Sequence, residues 1–162
     1  WGIEFDFEGY IIDNLKVNGA YSFDHGEYAD EIDGDPTAPW KPQDQIGGNQ
    51  LKRMTKHKIA LGGTYTLPTD IGDFALNLRY YWQDEVFYNQ HHSDAFYGPA
   101  YDRIDARVWW NSPTYKWRVA ASLNNIQDSV NFQHVPEAGV DSPRHIFVGA
   151  PRTWGVEVSY RF

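Results

Sequence analysis

Apolar residues recur at every second position through seven stretches of this chain, and that period of two restricts the backbone more than any other feature of the sequence. Helical spacing at i, i+3 and i+4 is sustained nowhere. The stretches cover roughly 1–10, 15–28, 56–67, 74–88, 101–111, 116–132 and 146–162. One face of the fourth reads Phe74, Leu76, Leu78, Tyr80 and Trp82, and one face of the seventh reads Trp154, Val156, Val158, Tyr160 and Phe162. Along 1–11, 15–23, 59–67, 74–82, 104–110, 117–123 and 154–162, where the alternation is unbroken, that face has 34 positions, of which 31 are apolar or aromatic and the other three are glycine. The alternate face of the same segments carries Glu4, Asp6, Lys16, Arg79, Asp105, Arg107, Arg118, Glu157 and Arg161 among others, with no Val, Ile, Leu, Phe or Met. Such two-faced segments are expected to be strands of an antiparallel, all-β fold.

Composition narrows the class. No apolar run approaches the ~20 residues of a membrane-spanning helix, so the chain is either a soluble β-rich domain or a β-structure that crosses a membrane. It has no cysteine, which removes disulfide scaffolds, thiol catalysis and cysteine-ligated metals. Twenty-two acidic against 14 basic residues give a net charge of -8, which argues against duplex nucleic acid as a partner. Residue 1 is Trp, with no leader sequence behind it, which fits either a processed mature chain or a piece of something longer.

Alternation alone suits a soluble barrel or sandwich as well as a membrane sheet. The connections separate the two. They run short, long, short, long, short, long: 11–14, 29–55, 68–73, 89–100, 112–115 and 133–145. Tight turns on one side and long loops on the other are the habit of an up-and-down outer-membrane barrel. The aromatics agree. Tyr65, Phe74, Trp110, Trp117, Tyr160 and Phe162 fall near the turn end, and Trp1, Tyr21, Phe23, Tyr80, Trp82 and Trp154 near the loop end, with aliphatics between. Two such girdles match the two water interfaces of a bilayer, although Phe5 and Phe7 sit mid-band and depart from the scheme. The reading requires Leu76, Val119 and Val156 to face outward while Arg79 and Arg107 face the other way.

Seven strands cannot close alone, because a membrane sheet must leave no edge in lipid and single-chain bacterial barrels use even strand numbers from ~8 upward. The chain is therefore expected to be the C-terminal portion of a larger barrel.

The run from Ala150 to Phe162 resembles the terminal strand of TonB-dependent outer-membrane receptors. Leu123-Asn124-Asn125-Ile126-Gln127-Asp128 is similar to that family's N-L-x-D element, and Lys56-His57-Lys58-Ile59-Ala60-Leu61-Gly62-Gly63 looks like a family strand opening after a long loop. Tyr160 and Phe162 resemble the terminal aromatic signal read by the outer-membrane barrel assembly machinery. The resemblance implies a barrel of about 22 strands with a plugged lumen, of which residues 1–162 would supply about seven and about 15 would lie upstream. It also implies a Gram-negative outer-membrane location, contact with the lipid bilayer and lipopolysaccharide, and TonB coupling through a plug that this sequence does not contain. The implied function is energy-coupled import of a scarce solute such as a siderophore, cobalamin or an oligosaccharide.

Candidate contacts follow from placement. Arg79, Arg103 and Arg107, in a row with Asp105, Arg118, Glu157 and Arg161, are placed to hold a plug or ligand by charge-assisted hydrogen bonds. The plainer reading is a mutually paired polar wall. Trp40, Phe96, Tyr97 and Tyr101 lie in or beside loops as solvent-facing rings suited to stacking on a ligand, or else as loop self-packing. Glu27, Asp30, Glu31, Asp33 and Asp35 crowd the first long loop but lack the EF-hand spacing for Ca²⁺. His91 and His92, read as neighbours on an extended strand, would point to opposite sides and so would not join one metal or haem site. No catalytic or metal motif appears and no cofactor is implied. The competing functional readings are a soluble, aromatic-rich carbohydrate-binding β-domain and an outer-membrane β-barrel enzyme.

Overall fold

A computed structural model describes residues 1–30, 32–33, 44–136 and 145–162. In chain order its strands are β1 (Gly2–Ile12), β2 (Leu15–Asp24), β3 (Ile32–Asp33), β4 (Asp44–Gln45), β5 (His57–Thr69), β6 (Gly72–Gln83), β7 (Val86–Phe87), β8 (Tyr97–Gly98), β9 (Tyr101–Asn111), β10 (Trp117–Asn124), β11 (Phe132–His134), β12 (Phe147–Val148) and β13 (Thr153–Tyr160), with one 3-10 turn at Asp94–Phe96. The seven long strands form one antiparallel sheet in the order β1-β2-β5-β6-β9-β10-β13, each beside its successor. Among the described residues β1 and β13 are its free edges.

The register keeps the two faces apart. One row across the whole sheet runs Gly9, Val17, Gly63, Leu78, Ala106, Leu123, Trp154. The neighbouring row on the other face runs Tyr10, Lys16, Thr64, Asn77, Arg107, Ser122, Gly155. A one-residue slip of any strand would exchange its faces, so oily and polar rows this uniform fix the pairing.

Exposure is inverted relative to a water-soluble sheet. Leu76 is 41% exposed, Val119 38% and Val156 65%, whereas Ala75 and Ala120 on the polar face are 7% and 3% exposed. The fully buried large apolar side chains lie elsewhere: Ile46, Val86, Tyr88, Phe96 and Val135 belong to the loops. At about 25 cal/mol per Å² an oily sheet face left in water would be strongly unfavourable. Hydrocarbon is the solvent that fits it. Trp154 stands at the loop end of that face, and Trp117, Tyr160 and Phe162 form a chain of ring contacts at the turn end, with centroids 4.7 and 5.0 Å apart.

Four strands are shorter than the alternation predicts. The second ends at Asp24 rather than 28, the fourth at Gln83 rather than 88 and the sixth at Asn124 rather than 132, while the last begins at Thr153 rather than 146. The leftover alternating residues pair within the loops, as β7 with β8 and β11 with β12. Backbone chirality stops β10, because Asn125 takes a left-handed φ of 52° and Asp128 one of 60°.

This turn ties the loops to the sheet. The Asn125 amide donates to Asp105 Oδ1 at 2.9 Å; its side chain accepts from Ser129 N at 2.9 Å and donates to Ser129 O and Ala150 O at 2.9 and 3.3 Å. Gln127 Oε1 accepts from Ile104 N at 2.7 Å, and Asp128 Oδ1 accepts from Arg152 N at 2.8 Å. The segment that resembles the family's N-L-x-D element is thus a polar clasp joining β9 to both ends of the last long loop.

At the opposite end, the β5–β6 turn depends on Gly72, whose φ is 120°. A Cβ there would lie 2.1 Å from the Asn111 carbonyl oxygen and 2.6 Å from Trp110 Nε1, which itself donates to Ile71 O at 2.9 Å. Gly72→Ala is expected to destabilise the folded protein in detergent by about 2–3 kcal/mol, combining the φ penalty with a backbone clash. The midpoint of urea unfolding, followed by tryptophan fluorescence, checks this; an unchanged midpoint would contradict the turn geometry. Asn125→Ala removes three side-chain hydrogen bonds and a residue tolerant of left-handed φ, for a loss of about 3 kcal/mol in the same assay. Asn125→Gly restores only the backbone and should recover about 1 kcal/mol of that.

Candidate functional site

Two surfaces meet at the loop end of the sheet. One is the polar face of β5, β6 and β9; the other is a layer of loops packed on one another. Tight register builds the first, since Arg79 of β6 lies opposite Gly62 of β5 and Asp105 of β9, and Tyr81 lies opposite Ala60 and Arg103. The small partners Ala60 and Gly62 leave a shallow cavity of about 190 Å³, lined in part by Asn18, Arg79, Tyr81, Arg103 and Asp105. Arg103 pairs with Asp105 at 3.1 Å, and the Tyr81 and Tyr101 rings stand 5.7 Å apart. Tyr81 donates to Gln83 Oε1 at 2.9 Å. Asp105 is 6% exposed and is held by both Arg103 and the Asn125 amide. Arg79 is exposed, with no ion pair or hydrogen-bond partner among the described residues. The cavity therefore presents one uncommitted cation beside a satisfied ion pair and the Tyr81 phenol, against whose ring Tyr101 packs. That combination suits an anionic, oxygen-rich ligand.

The loops need a core of their own, because they stand outside the sheet. Val86, Tyr88, Phe96 and Val135 form it, with Ala95 and Phe132 packed against them. The second long loop is fixed to the first by Arg53 N to Phe87 O at 2.7 Å, Asn49 Nδ2 to Gln90 O at 2.9 Å and His92 Nε2 to Gln50 O at 2.9 Å. It is fixed to the third by the Tyr88 hydroxyl, which donates to Phe132 O. Burial raises the Tyr88 phenol above its ordinary value, and the hydrogen bond to Glu85 Oε2 at 2.9 Å raises that of Tyr97, so both remain protonated donors at neutral pH.

The structure brings Arg79 and Arg103 together at the cavity, with Tyr101 beside it on the Tyr81 ring. Arg107 lies lower on the same wall, bound to Glu157 at 2.9 Å, which makes that part of the charged row the mutually paired wall weighed above. Tyr97 is half-buried against the Phe87 ring at 5.4 Å. Phe96 does not face solvent as expected. At 3% exposure it is loop core, because a 3-10 turn folds it under the hairpin of β7 and β8. Trp40 lies outside the described residues, as do Glu31, Asp35 and the side chain of Asp33 in the acidic run. His91 and His92 are in a turn, with His92 at φ 49°, rather than on an extended strand. His92 stacks on Phe87 with centroids 4.0 Å apart.

Sequence reasoning missed Tyr81 and Trp109 on the polar face. The signal was present: each is a large ring in a row otherwise built of small or hydrophilic residues. Trp109 lies between Ala75 and Ala120 in the register, and the Arg118 guanidinium sits 5.4 Å from its ring centre.

No curated protein is a significant sequence match. Among solved structures the chain is similar to the ferric yersiniabactin uptake receptor FyuA from Yersinia pestis, with a TM-score of 0.79 at 12% identity over 99% of this chain and 23% of that one. It is also similar to the siderophore receptor PiuA from Acinetobacter baumannii, with a TM-score of 0.70 at 18% identity over 98% of this chain and 21% of that one. The ferric preacinetobactin receptor BauA, also from Acinetobacter baumannii, gives a TM-score of 0.70 at 17% identity, again over 98% and 21%. At these identities the likeness is one of fold, and the chain spans less than a quarter of each receptor's length. The family model described as TonB dependent receptor-like, beta-barrel, matches residues 1–126, well over half of the chain, which therefore belongs to the TonB-dependent receptor β-barrels of the Gram-negative outer membrane.

Proposed function

We propose that this chain is the C-terminal seven-stranded part of a barrel of about 22 strands that imports a scarce solute across the outer membrane, with TonB supplying the energy through a plug domain. The observation that carries the reading is the cavity at the loop end of the polar face, where Arg79 stands uncommitted beside the Arg103–Asp105 pair and the Tyr81 and Tyr101 rings. An anionic iron chelate matches it better than cobalamin or a neutral oligosaccharide, because a free guanidinium at a partly occluded wall selects for negative oxygen. The similar receptors, for ferric yersiniabactin, for a siderophore and for ferric preacinetobactin, support the same class.

Arg79, Arg103, Tyr97 and Tyr101 are the proposed ligand contacts, with Arg107 below them on the wall, and Trp40 of the first long loop is proposed with them from the sequence alone. Phe96 supports them from the loop core. On the outer face Trp1 and Trp154 meet the lipid and lipopolysaccharide interface, and Tyr160 with Phe162 forms the proposed signal for the barrel assembly machinery.

The test uses the protein expressed from its complete coding sequence in outer membranes, with binding of radiolabelled ferric siderophores as the readout. Arg79→Ala is expected to weaken binding of the preferred chelate by about tenfold, the worth of one charge-assisted hydrogen bond. Arg79→Lys should recover part of it. Undiminished binding by the alanine variant would remove this wall from solute recognition.

A further inference from the structure

We propose that Asp105 and Asn125 are positioning residues that decide which cation of the wall is free to take an anion. Asn125 turns the Asp105 carboxylate toward Arg103 and so withholds it from Arg79. This rests on the reading that Arg79 meets an anionic solute, and it adds what keeps that guanidinium available.

Register makes Arg79 the nearer partner for Asp105. The two lie directly opposite each other across the β6–β9 ladder, where facing Cβ atoms stand about 4.5–5.5 Å apart. Arg103 is two residues away along β9 itself, about 6.6 Å by the rise of a strand. The carboxylate nevertheless pairs with Arg103, at 3.1 Å, and among the described residues it forms no ion pair with Arg79.

The order of the strands accounts for that choice. β9 lies between β6, which carries Arg79, and β10, which leads into Asn125. The Asn125 amide donates to Asp105 Oδ1 at 2.9 Å and so draws the carboxylate to the side of β9 away from Arg79. With 6% of Asp105 exposed, protein donors stand in for water on its oxygens. Without the amide, the carboxylate lies between two guanidiniums, and pairing with the one directly opposite would neutralise the cation that the cavity presents. β6, β9 and β10 are each paired on both sides, so no edge strand enters the arrangement.

The amide is aimed by the left-handed φ of 52° at Asn125. The Asn125 side chain secures that turn through Ser129 and Ala150, at the two ends of the last long loop. The seating of that loop on Asn125 thereby sets the charge offered by a guanidinium two strands away.

The experiment measures how fast phenylglyoxal, a guanidine-selective reagent that an ion pair slows, modifies Arg79 and Arg103. The protein is expressed from its complete coding sequence, treated in outer membranes and read by mass spectrometry of chymotryptic peptides. Arg79 is expected to react about tenfold faster than Arg103, the worth of one charge-assisted pair. Asn125→Ala, which releases the turn that aims the amide, and Arg103→Gln, which removes the present partner, should each slow Arg79 by a similar factor. Arg103→Lys leaves Asp105 a cation and Arg79 fast. Adding Asp105→Asn to either slow variant should restore the Arg79 rate, a rescue that a merely structural defect does not give. Heat-modifiable migration shows that each variant is folded. An Arg79 rate unchanged or raised in either variant overturns the proposal, as does a slowing that Asp105→Asn leaves in place. Binding of the radiolabelled ferric siderophores separates the two readings. If labelling is indifferent to these changes while the wild-type protein binds a chelate, only the positioning fails. If labelling follows the expected pattern and no chelate binds, the positioning stands and the import reading fails.

Discussion

A peptide group in hydrocarbon has no water with which to form the hydrogen bond it lacks, and each unmet N–H or C=O costs several kcal/mol. That constraint accounts for the continuous ladder from β1 to β13, for the absence of proline from the middle of every long strand, and for the confinement of irregular backbone to the two ends. It also explains why Leu76 and Val156 can remain exposed. Their rows are stabilised by contact with lipid, so the sheet has no need of a second apolar layer. The hydrophobic effect, which organises the interior of a soluble protein, here sets only which face turns outward.

The loops live under the opposite rule. They stand in water, so they must bury apolar surface in the ordinary way, and Val86, Tyr88, Phe96 and Val135 do so in a small core. One chain thus carries two kinds of stability. The sheet is held by backbone pairing and the loop layer by packing and a few side-chain bonds. The clasp at Asn125 joins them, because Asp105 accepts from its amide while pairing with Arg103 on the wall. A change in the third loop therefore has a direct mechanical route to the proposed ligand contacts.

The sheet was legible in the sequence because lipid and lumen impose their two solvents at every second residue for ten residues at a time. Phe74, Leu76 and Leu78 can sit only on one side, and their partners follow from the turns. The loop fold was not legible, since the same alternation through Val86 and Tyr88, or Phe132 and His134, serves small hairpins as well as extensions of β6 and β10. Asn125 marks the difference: an extended strand does not accept a left-handed φ, and an Asn is the only letter that hints at it. Phe96 was misplaced for a related reason. A ring in a loop reads as available for stacking, and only the hairpin above it shows that it is covered. The placement of Arg79 and Arg103 on the polar face was legible because charge on that face is a positional signal, whereas the partnership of Arg103 with Asp105 required the register.

The inner wall is graded along its length by what its cations already hold. Arg103 and Arg107 are bound to Asp105 and Glu157, which lie on the same wall. Among the described residues Arg79 toward the loops and Lys116, Arg118 and Arg161 toward the turns form no ion pair. A paired guanidinium contributes to the rigidity of the sheet, and a ligand anion reaches it only in competition with the carboxylate it already holds. An unpaired one keeps its donors available to an anionic ligand. Charge is thus neutralised in the middle of the wall and left without ion pairs toward its ends, and the proposed ligand contacts lie where the two regions meet, at Arg79 beside the Arg103–Asp105 pair.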